Sequence, residues 1–269
     1  MAEITAKAVN ELRAKTGLGM MECKKLLTEN DGDINKAIDA ARKKGVKTSI
    51  TERAATEGRV GVATNGDRKV AALVEINCNT DFTAKSDTVL GVIDNAISKL
   101  LHNASLDLKS DDETKNALTS IAQQTGENVV LGRVAVAKGD TVGSYLYSTA
   151  GKGKIGVLMT FSGQASEEVI RQLGMHIAAA RPIAMSRAEV PAEMLAKEKE
   201  IAVEQAKASG KPQNIAEKIA EGKLNAFFGE RVLLDQDFIN AEAFKGKVGE
   251  LLKKNNATLT KYERIEVGQ

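Results

Sequence analysis

The chain has 269 residues, 42% hydrophobic and 28% charged, a composition that excludes the disordered class and, at ~150 residues per domain, suggests two domains with room for a small third. Its 38 Lys and Arg against 36 Asp and Glu leave a net charge of +2, without the broad basic face a duplex-DNA binder needs. Two Cys and two His exclude a disulfide framework and a Cys-rich zinc site and leave few histidine-based options.

No apolar run approaches the ~20 residues of a membrane helix. The opening Met1-Ala2-Glu3-Ile4-Thr5 is polar and lacks a hydrophobic signal region, so a cytoplasmic protein is expected. With three Tyr, six Phe and no Trp, the cores must be built from aliphatic side chains and Met.

Thr5 is placed to cap a first helix ending near Thr16-Gly17, with Ala8, Val9 and Leu12 on one face. A turn at Gly17-Leu18-Gly19 precedes a second helix from about Met20 to Asn30, whose candidate apolar positions are Met21, Cys23, Leu26 and Leu27. Asp33 caps a third helix carrying Ile34, Ala37, Ile38 and Ala41, which stops at Lys43-Lys44-Gly45. Three short helices make a small module of the kind that binds a partner more often than it performs chemistry. Val46 to Gly58 reads as a linker.

The middle of the chain predicts α+β structure. Arg59–Thr64 and Lys69–Ile76 flank Asn65-Gly66-Asp67, a hairpin signal because Asn-Gly suits the positive φ angles of a type I′ turn. A helix from about Ala84 carries Val89, Leu90, Val92, Ile93, Ile97 and Leu100-Leu101, and Ser110-Asp111-Asp112-Glu113 forms a capping box opening another. Asn128–Ala137 and Val142–Ser148 read as a second hairpin across Lys138-Gly139-Asp140. Glu57-Gly58-Arg59-Val60-Gly61-Val62 is then echoed by Gly153-Lys154-Ile155-Gly156-Val157, each leading into a strand with a helix further on, the second from Ser166 to Ala180. Helices over Pro191–Ser209 and Ile215–Phe228, broken by Gly210-Lys211-Pro212, predict an antiparallel hairpin with Ile219, Leu224 and Phe227 on one side. A short helix near Gly246–Lys254 and a strand Tyr262–Val267 close the chain.

Catalytic signals are weak. Gly151-Lys152-Gly153-Lys154-Ile155-Gly156 fits G-x-G-x-x-G, but the residues after it read as a strand, where a dinucleotide site needs a helix N-terminus. It is expected to be a glycine-rich turn. Gly45-Val46-Lys47-Thr48 lacks the upstream glycine of a phosphate loop, and Asp111-Asp112 is better explained by helix capping. His176 lies on the apolar stripe of its helix, the place of a core or interface histidine.

Two features stand out. Met20 and Met21 are adjacent at a helix start and cannot both point inward: one is expected exposed as an adaptable contact residue, unless both are partly buried in a small core. In Asn79-Thr80-Asp81-Phe82-Thr83, at the end of a strong strand, an aromatic beside an acid at a strand-to-helix junction reads as a cap for the following helix with Phe82 tucked into the core.

Thr16-Gly17-Leu18-Gly19-Met20-Met21-Glu22-Cys23-Lys24-Lys25-Leu26-Leu27, followed by Asn30-Asp31-Gly32-Asp33, closely resembles the opening of the bacterial elongation factor Ts family. So do Asn77-Cys78-Asn79-Thr80-Asp81-Phe82-Thr83-Ala84-Lys85, Met175-His176-Ile177-Ala178-Ala179, Gly210-Lys211-Pro212 with Ile219-Ala220-Glu221-Gly222-Lys223, and Arg264-Ile265-Glu266-Val267-Gly268, in the same order along the chain. The resemblance implies nucleotide exchange on elongation factor Tu, with no covalent chemistry, no cofactor or metal of its own, no direct nucleic-acid contact and no membrane. It implies a ubiquitin-associated-like helical module with its linker over 1–55, one core subdomain over 56–144, a second over 145–187 and 228–269, and a helical hairpin over 188–227, through which some members dimerise. Arg13, Met20 and Met21 match residues that touch the GTPase domain of the partner. Thr80, Asp81, Phe82 and Thr83 match the loop that displaces magnesium, with Asp81 and Phe82 entering beside the nucleotide, and His176 matches a histidine near a further domain of the partner. Many members continue into a C-terminal helical module after the last strand, so here the N-terminal module and the loop are expected to suffice.

Other classes predict other features. An adaptor acting through the helical module alone has no use for the Asp81-Phe82 loop. An RNA binder calls for a basic face with stacking aromatics. An enzyme shows saturable turnover of a small molecule.

Overall fold

Three short helices come first, α1 (Ala6–Thr16), α2 (Met20–Glu29) and α3 (Ile34–Lys43), in a computed structural model that describes residues 4–16, 18–43, 53–149, 152–209 and 212–269. Thr5 Oγ1 accepts from the Ala8 amide at 3.2 Å, and Asp33 Oδ1 accepts from Asn35 and Lys36 at 2.9 and 3.1 Å, so α1 and α3 start where the sequence places their caps. Val9, Leu12, Cys23, Leu26, Leu27, Ala37 and Ala41 form their common core. Met21 is not part of it. The buried stripe of α2 runs Cys23, Leu26, Leu27, at i, i+3 and i+4, which turns Met21 to the opposite side. The turn at Gly17, the stop at Lys44-Gly45, linker positions 46–52, the Gly45-Val46-Lys47-Thr48 segment, Gly151 and the breaker Gly210-Lys211 lie outside the described residues.

The remaining elements are β1 (Glu57–Thr64), β2 (Val70–Cys78), α4 (Asp81–Ala84), α5 (Asp87–His102), α6 (Asp112–Thr125), β3 (Val130–Lys138), β4 (Thr141–Thr149), β5 (Lys152–Ser162), α7 (Glu167–Ala180), α8 (Ala192–Ala208), α9 (Gln213–Arg231), α10 (Val248–Lys254) and β6 (Thr258–Glu266). They make an α+β fold with two antiparallel three-stranded sheets, ordered β1-β2-β3 and β4-β5-β6. The sheets face each other across Val60, Ala71, Leu73, Val142, Leu158 and Ile265. On the outer side of the first, Ala72, Val74 and Ile76 meet Val89, Ile93 and Ile97 of α5. On the outer side of the second, Val157, Met159 and Phe161 meet Val169, Leu173 and Ile177 of α7 and Leu251 of α10. A strand covered on both faces needs apolar residues in succession, which is why β2 reads Ala71-Ala72-Leu73-Val74 without alternation.

Several expected connections differ. β3 and β4 are not a hairpin: β3 pairs with β2 and β4 with β5, so the chain changes sheets at Lys138–Thr141. Asp140 Oδ2 accepts from the Gly163 amide at 3.2 Å and the Thr141 hydroxyl donates to Gly163 O at 2.7 Å, tying the start of β4 to the end of β5. The β1–β2 turn is not type I′. Asn65 Oδ1 accepts from the amides of Lys69 and Val70, both at 2.9 Å, and the positive φ falls on Arg68, at 55°. Glu57 and Gly58, expected in the linker, open β1. Asp111 Oδ2, not a Ser110 box, caps α6 by accepting from the Thr114 amide at 2.9 Å. The helix expected from Ala84 starts at Asp87 on a Ser86 cap, leaving α4 as a separate turn.

Gly153 and Gly156 lie inside β5 and not in a turn before it. A Cβ on Gly156 would sit 2.6 Å from Val60 Cγ1, and one on Gly153 would sit 2.4 Å from Val60 O, so these glycines let β5 approach β1. The glycine motif therefore serves sheet packing. In the helical pair α8–α9 the buried seam is alanine, Ala202 and Ala206 against Ala216 and Ala220, with Ile219, Leu224 and Phe227 only half-buried. At its base the Arg187 guanidinium bonds Asp235 at 2.6 Å and lies 4.6 Å from the Phe228 ring centre.

Candidate functional site

Thr80–Thr83 follow directly on the central strand β2 and form the first turn of α4. Thr80, not Asp81, is the helix cap: its Oγ1 accepts from the Thr83 amide at 3.2 Å. Thr83 is buried and Phe82 is not. Phe82 is 88% exposed, so the core placement expected at this strand-to-helix junction is wrong. The turn starts at Asp81, and in one turn of helix the side chains of residues 82 and 83 diverge by about 100°. Thr83 and Ala84 take the inward positions, which sends Phe82 outward.

The turn is fastened from below by Glu127. Gly126 ends α6 in the left-handed conformation at φ 69°, which a glycine adopts without strain, and the next residue reaches under the loop. Glu127 Oε2 accepts from the amides of Asn79 at 3.2 Å and Thr80 at 3.0 Å. Its Oε1 accepts from the hydroxyls of Thr80 at 2.6 Å and Thr83 at 2.7 Å. Burial works against the charge, but these four donors outweigh it and hold the Glu127 carboxyl below the ordinary glutamate value. Asn79 adds a second tie, its Nδ2 donating to Ala54 O at 2.9 Å and its Oδ1 accepting from the Asn128 amide at 2.8 Å. Beneath the loop the Cys78 thiol donates to Thr80 O at 3.1 Å. Burial, with the charge of Glu127, pushes its pKa up to about 11, so it stays a thiol.

Asp81 is held from the other side. Arg59, buried on β1, donates from Nη2 to Asp81 Oδ1 at 2.7 Å and from Nη1 to Gly58 O at 2.9 Å. Lys85 pairs with the second carboxylate oxygen, and Lys154 stands 4.0 Å from the first while pairing with Glu57 at 2.6 Å. Lys85 first, then Arg59, outweigh the opposing effect of burial and keep the Asp81 carboxyl below its ordinary range. Asp81 is thus an ionised group with its charge already matched, while Phe82 beside it has nothing apolar over it.

The other expected residues lie elsewhere. Met20 and Met21, 54% and 80% exposed, share the first turn of α2, so both face solvent, and Arg13 is exposed on α1, which packs against α2. His176 is 1% exposed, inside the second half of the fold. Its Nδ1 accepts from the Ile239 amide at 3.2 Å and its Nε2 donates to Gln236 Oε1 at 3.0 Å, and the ring stacks on Phe238 with centres 5.6 Å apart. Burial, only partly offset by Gln236, holds its pKa below the ordinary histidine value, consistent with this neutral form. Among the described residues no group of three or more His, Cys, Asp or Glu is placed to hold a metal, and no helix is long and apolar enough to cross a membrane.

Sequence reasoning missed Arg59 and Glu127. Arg59 carried a signal, a cation within a run whose neighbours Val60 and Val62 pack inward. Glu127 carried none, since its partners lie 44 to 48 residues away.

An exposed phenyl ring on a fastened turn and an exposed methionine pair on the helical unit leave apolar side chains uncovered at both places. The chain matches the elongation factor TS family over residues 79–269. It is 41% identical over 276 residues to elongation factor Ts of Photorhabdus laumondii, covering 100% of this chain and 94% of that one. It is 42% identical over 278 residues to elongation factor Ts of Pasteurella multocida, covering 100% and 93%. The chain belongs to the elongation factor Ts family, whose members are nucleotide exchange factors and not catalytic enzymes.

Proposed function

We propose that this chain binds elongation factor Tu carrying GDP and expels the nucleotide by inserting the Thr80–Thr83 turn beside the magnesium and phosphate site. The observation that carries the proposal is Phe82, 88% exposed at the tip of a turn that polar side chains hold in place. An apolar ring kept in water is poised to gain on burial, and Phe82 gains only where the partner offers an apolar slot. If that slot opens only as GDP leaves, the factor binds the empty partner more tightly than the filled one. That difference is the coupling free energy, and it loosens GDP by the same factor. Burying a phenylalanine contributes ~1.5–3 kcal/mol, roughly ten- to over a hundredfold. Asp81, whose carboxylate Arg59 and Lys85 pair in the free chain, disturbs the water shell of the magnesium and its phosphate loop by exchanging those partners for groups of the site. GTP then refills the site.

In this reading residues 1–55 dock first on the GTPase domain through Arg13, Met20 and Met21, and the two core units, 56–144 and 145–187 with 228–269, set the distance from that contact to Phe82. His176 acts at a further domain of the partner. Met194, Ile201 and Ile215, exposed on the 188–227 hairpin, are the surface left for a second copy, and sedimentation velocity decides whether one binds. Stopped-flow release of a fluorescent GDP tests the main proposal. Phe82→Ala slows stimulated release at least tenfold with an unchanged melting temperature; an unchanged release rate overturns it.

A further inference from the structure

Phe82 sits on a helix of only four residues, α4, which cannot hold its shape from its own hydrogen bonds. Its backbone is instead set by two groups from distant parts of the chain. Glu127 spends both carboxylate oxygens on it, taking the Asn79 and Thr80 amides on one and the Thr80 and Thr83 hydroxyls on the other. Arg59 holds the first residue of the turn through Asp81 at 2.7 Å. Arg59 does so from a buried position where, among the described residues, its Nε finds no partner. A buried cation left partly unsatisfied is costly, and such groups persist where the geometry they impose is used.

We propose that Glu127 and Arg59 are positioning residues for exchange, a two-sided clamp that sets the Thr80–Thr83 turn in its exposed helical pose before the partner arrives. The proposal rests on Phe82 being the group that engages the opened partner. The two grips differ. Arg59 is one strong charge-assisted contact to a side chain, while Glu127 reads the backbone itself at two successive amides. Glu127 therefore fixes the direction in which Phe82 leaves the surface. With the turn ordered in advance, the ordering entropy is not charged against insertion. At neutral pH the Glu127 carboxylate is ionised and so an all-acceptor group, as four donors require, and those donors hold its pKa below the ordinary glutamate value.

A glutamine replaces it only in part. It lacks the charge, and with its Oε1 on the two backbone amides its Nε2 must turn the Thr80 and Thr83 hydroxyls from donors into acceptors, although Thr80 Oγ1 already accepts from the Thr83 amide. In the free full chain, Glu127→Gln and Glu127→Ala are expected to speed deuterium uptake at residues 79–86 while the rest of the chain exchanges as before. In stopped-flow release of fluorescent GDP from elongation factor Tu, the same variants are expected to lower the maximal stimulated rate about tenfold, equivalent to ~1.4 kcal/mol, with a half-saturating concentration within about twofold. A double-mutant cycle separates positioning from general support: Glu127→Ala placed in Phe82→Ala is expected to cost less than twofold more, because there is no ring left to aim. Equal losses in both backgrounds, or a normal maximal rate beside a slowed Phe82→Ala, would overturn the clamp while leaving the wedge. A Phe82→Ala single variant with normal release would instead overturn the reading on which the clamp rests. If Glu127→Ala melts early, Glu127→Gln carries the same cycle.

Discussion

Phe82 and His176 are both proposed above to act at the partner, yet the fold treats them in opposite ways. Phe82 is 88% exposed, with its backbone tied down and its ring unsupported. His176 is 1% exposed, with both ring nitrogens engaged and a phenyl ring stacked on it. A residue that must find a partner needs a fixed base and a free tip. A residue buried with its polar groups satisfied reaches a partner only through the surface it supports. For His176 that surface is Ile239, which is exposed and whose amide His176 accepts. Mutations at the two sites should separate cleanly into exchange and stability.

The largest effect is expected at the buried site. His176→Ala removes the acceptor of the Ile239 amide, leaves Gln236 short of a donor and opens a hole beside Phe238. Urea unfolding should show a loss of ~3–5 kcal/mol, the range for deleting a large core ring. Unchanged unfolding would break the contrast by making His176 a surface residue in solution.

Next comes the methionine pair. Met20→Ala with Met21→Ala should weaken binding to elongation factor Tu roughly tenfold, equivalent to ~1.4 kcal/mol. The melting temperature should barely move, because neither side chain belongs to the helical core. A large fall in melting temperature instead would place them with His176 and not with Phe82.

The smallest effect is on pH. The unfolded chain gives His176 its ordinary value of 6.5, whereas burial lowers it in the fold. Below 6.5 the unfolded state binds more protons, so the contribution of His176 is intact above that value and is lost as pH falls toward the folded value. Urea titrations between pH 8 and 5.5 should show stability declining through the lower half of the range, and His176→Phe should flatten that part of the curve. A curve as steep in His176→Phe as in the wild type would remove this residue from the account.

What could be read in advance follows from the range of the forces involved. Caps are local, so Thr5, Asp33 and Ser166 stand out from neighbours three residues away. The change of sheet between β3 and β4 was not legible, because a short polar turn between two apolar runs looks the same whether the strands pair with each other or with distant ones. Gly153 and Gly156 read as a turn because the residue that needs their missing side chains, Val60, lies on another strand. At the candidate site, resemblance pointed to Phe82 where its place at a strand-to-helix junction suggested burial. The groups that hold it there, Arg59 and Glu127, come from β1 and the end of α6 and meet only after folding.

The central claim is that Phe82 makes the chain prefer the emptied partner. Titration calorimetry of the full chain against nucleotide-free and GDP-bound elongation factor Tu measures that preference as a ratio of affinities. The ratio is expected to favour the nucleotide-free form strongly in the wild type and to shrink at least tenfold in Phe82→Ala. Equal affinities for the two forms in the wild type, or a ratio that Phe82→Ala leaves unchanged, would contradict it.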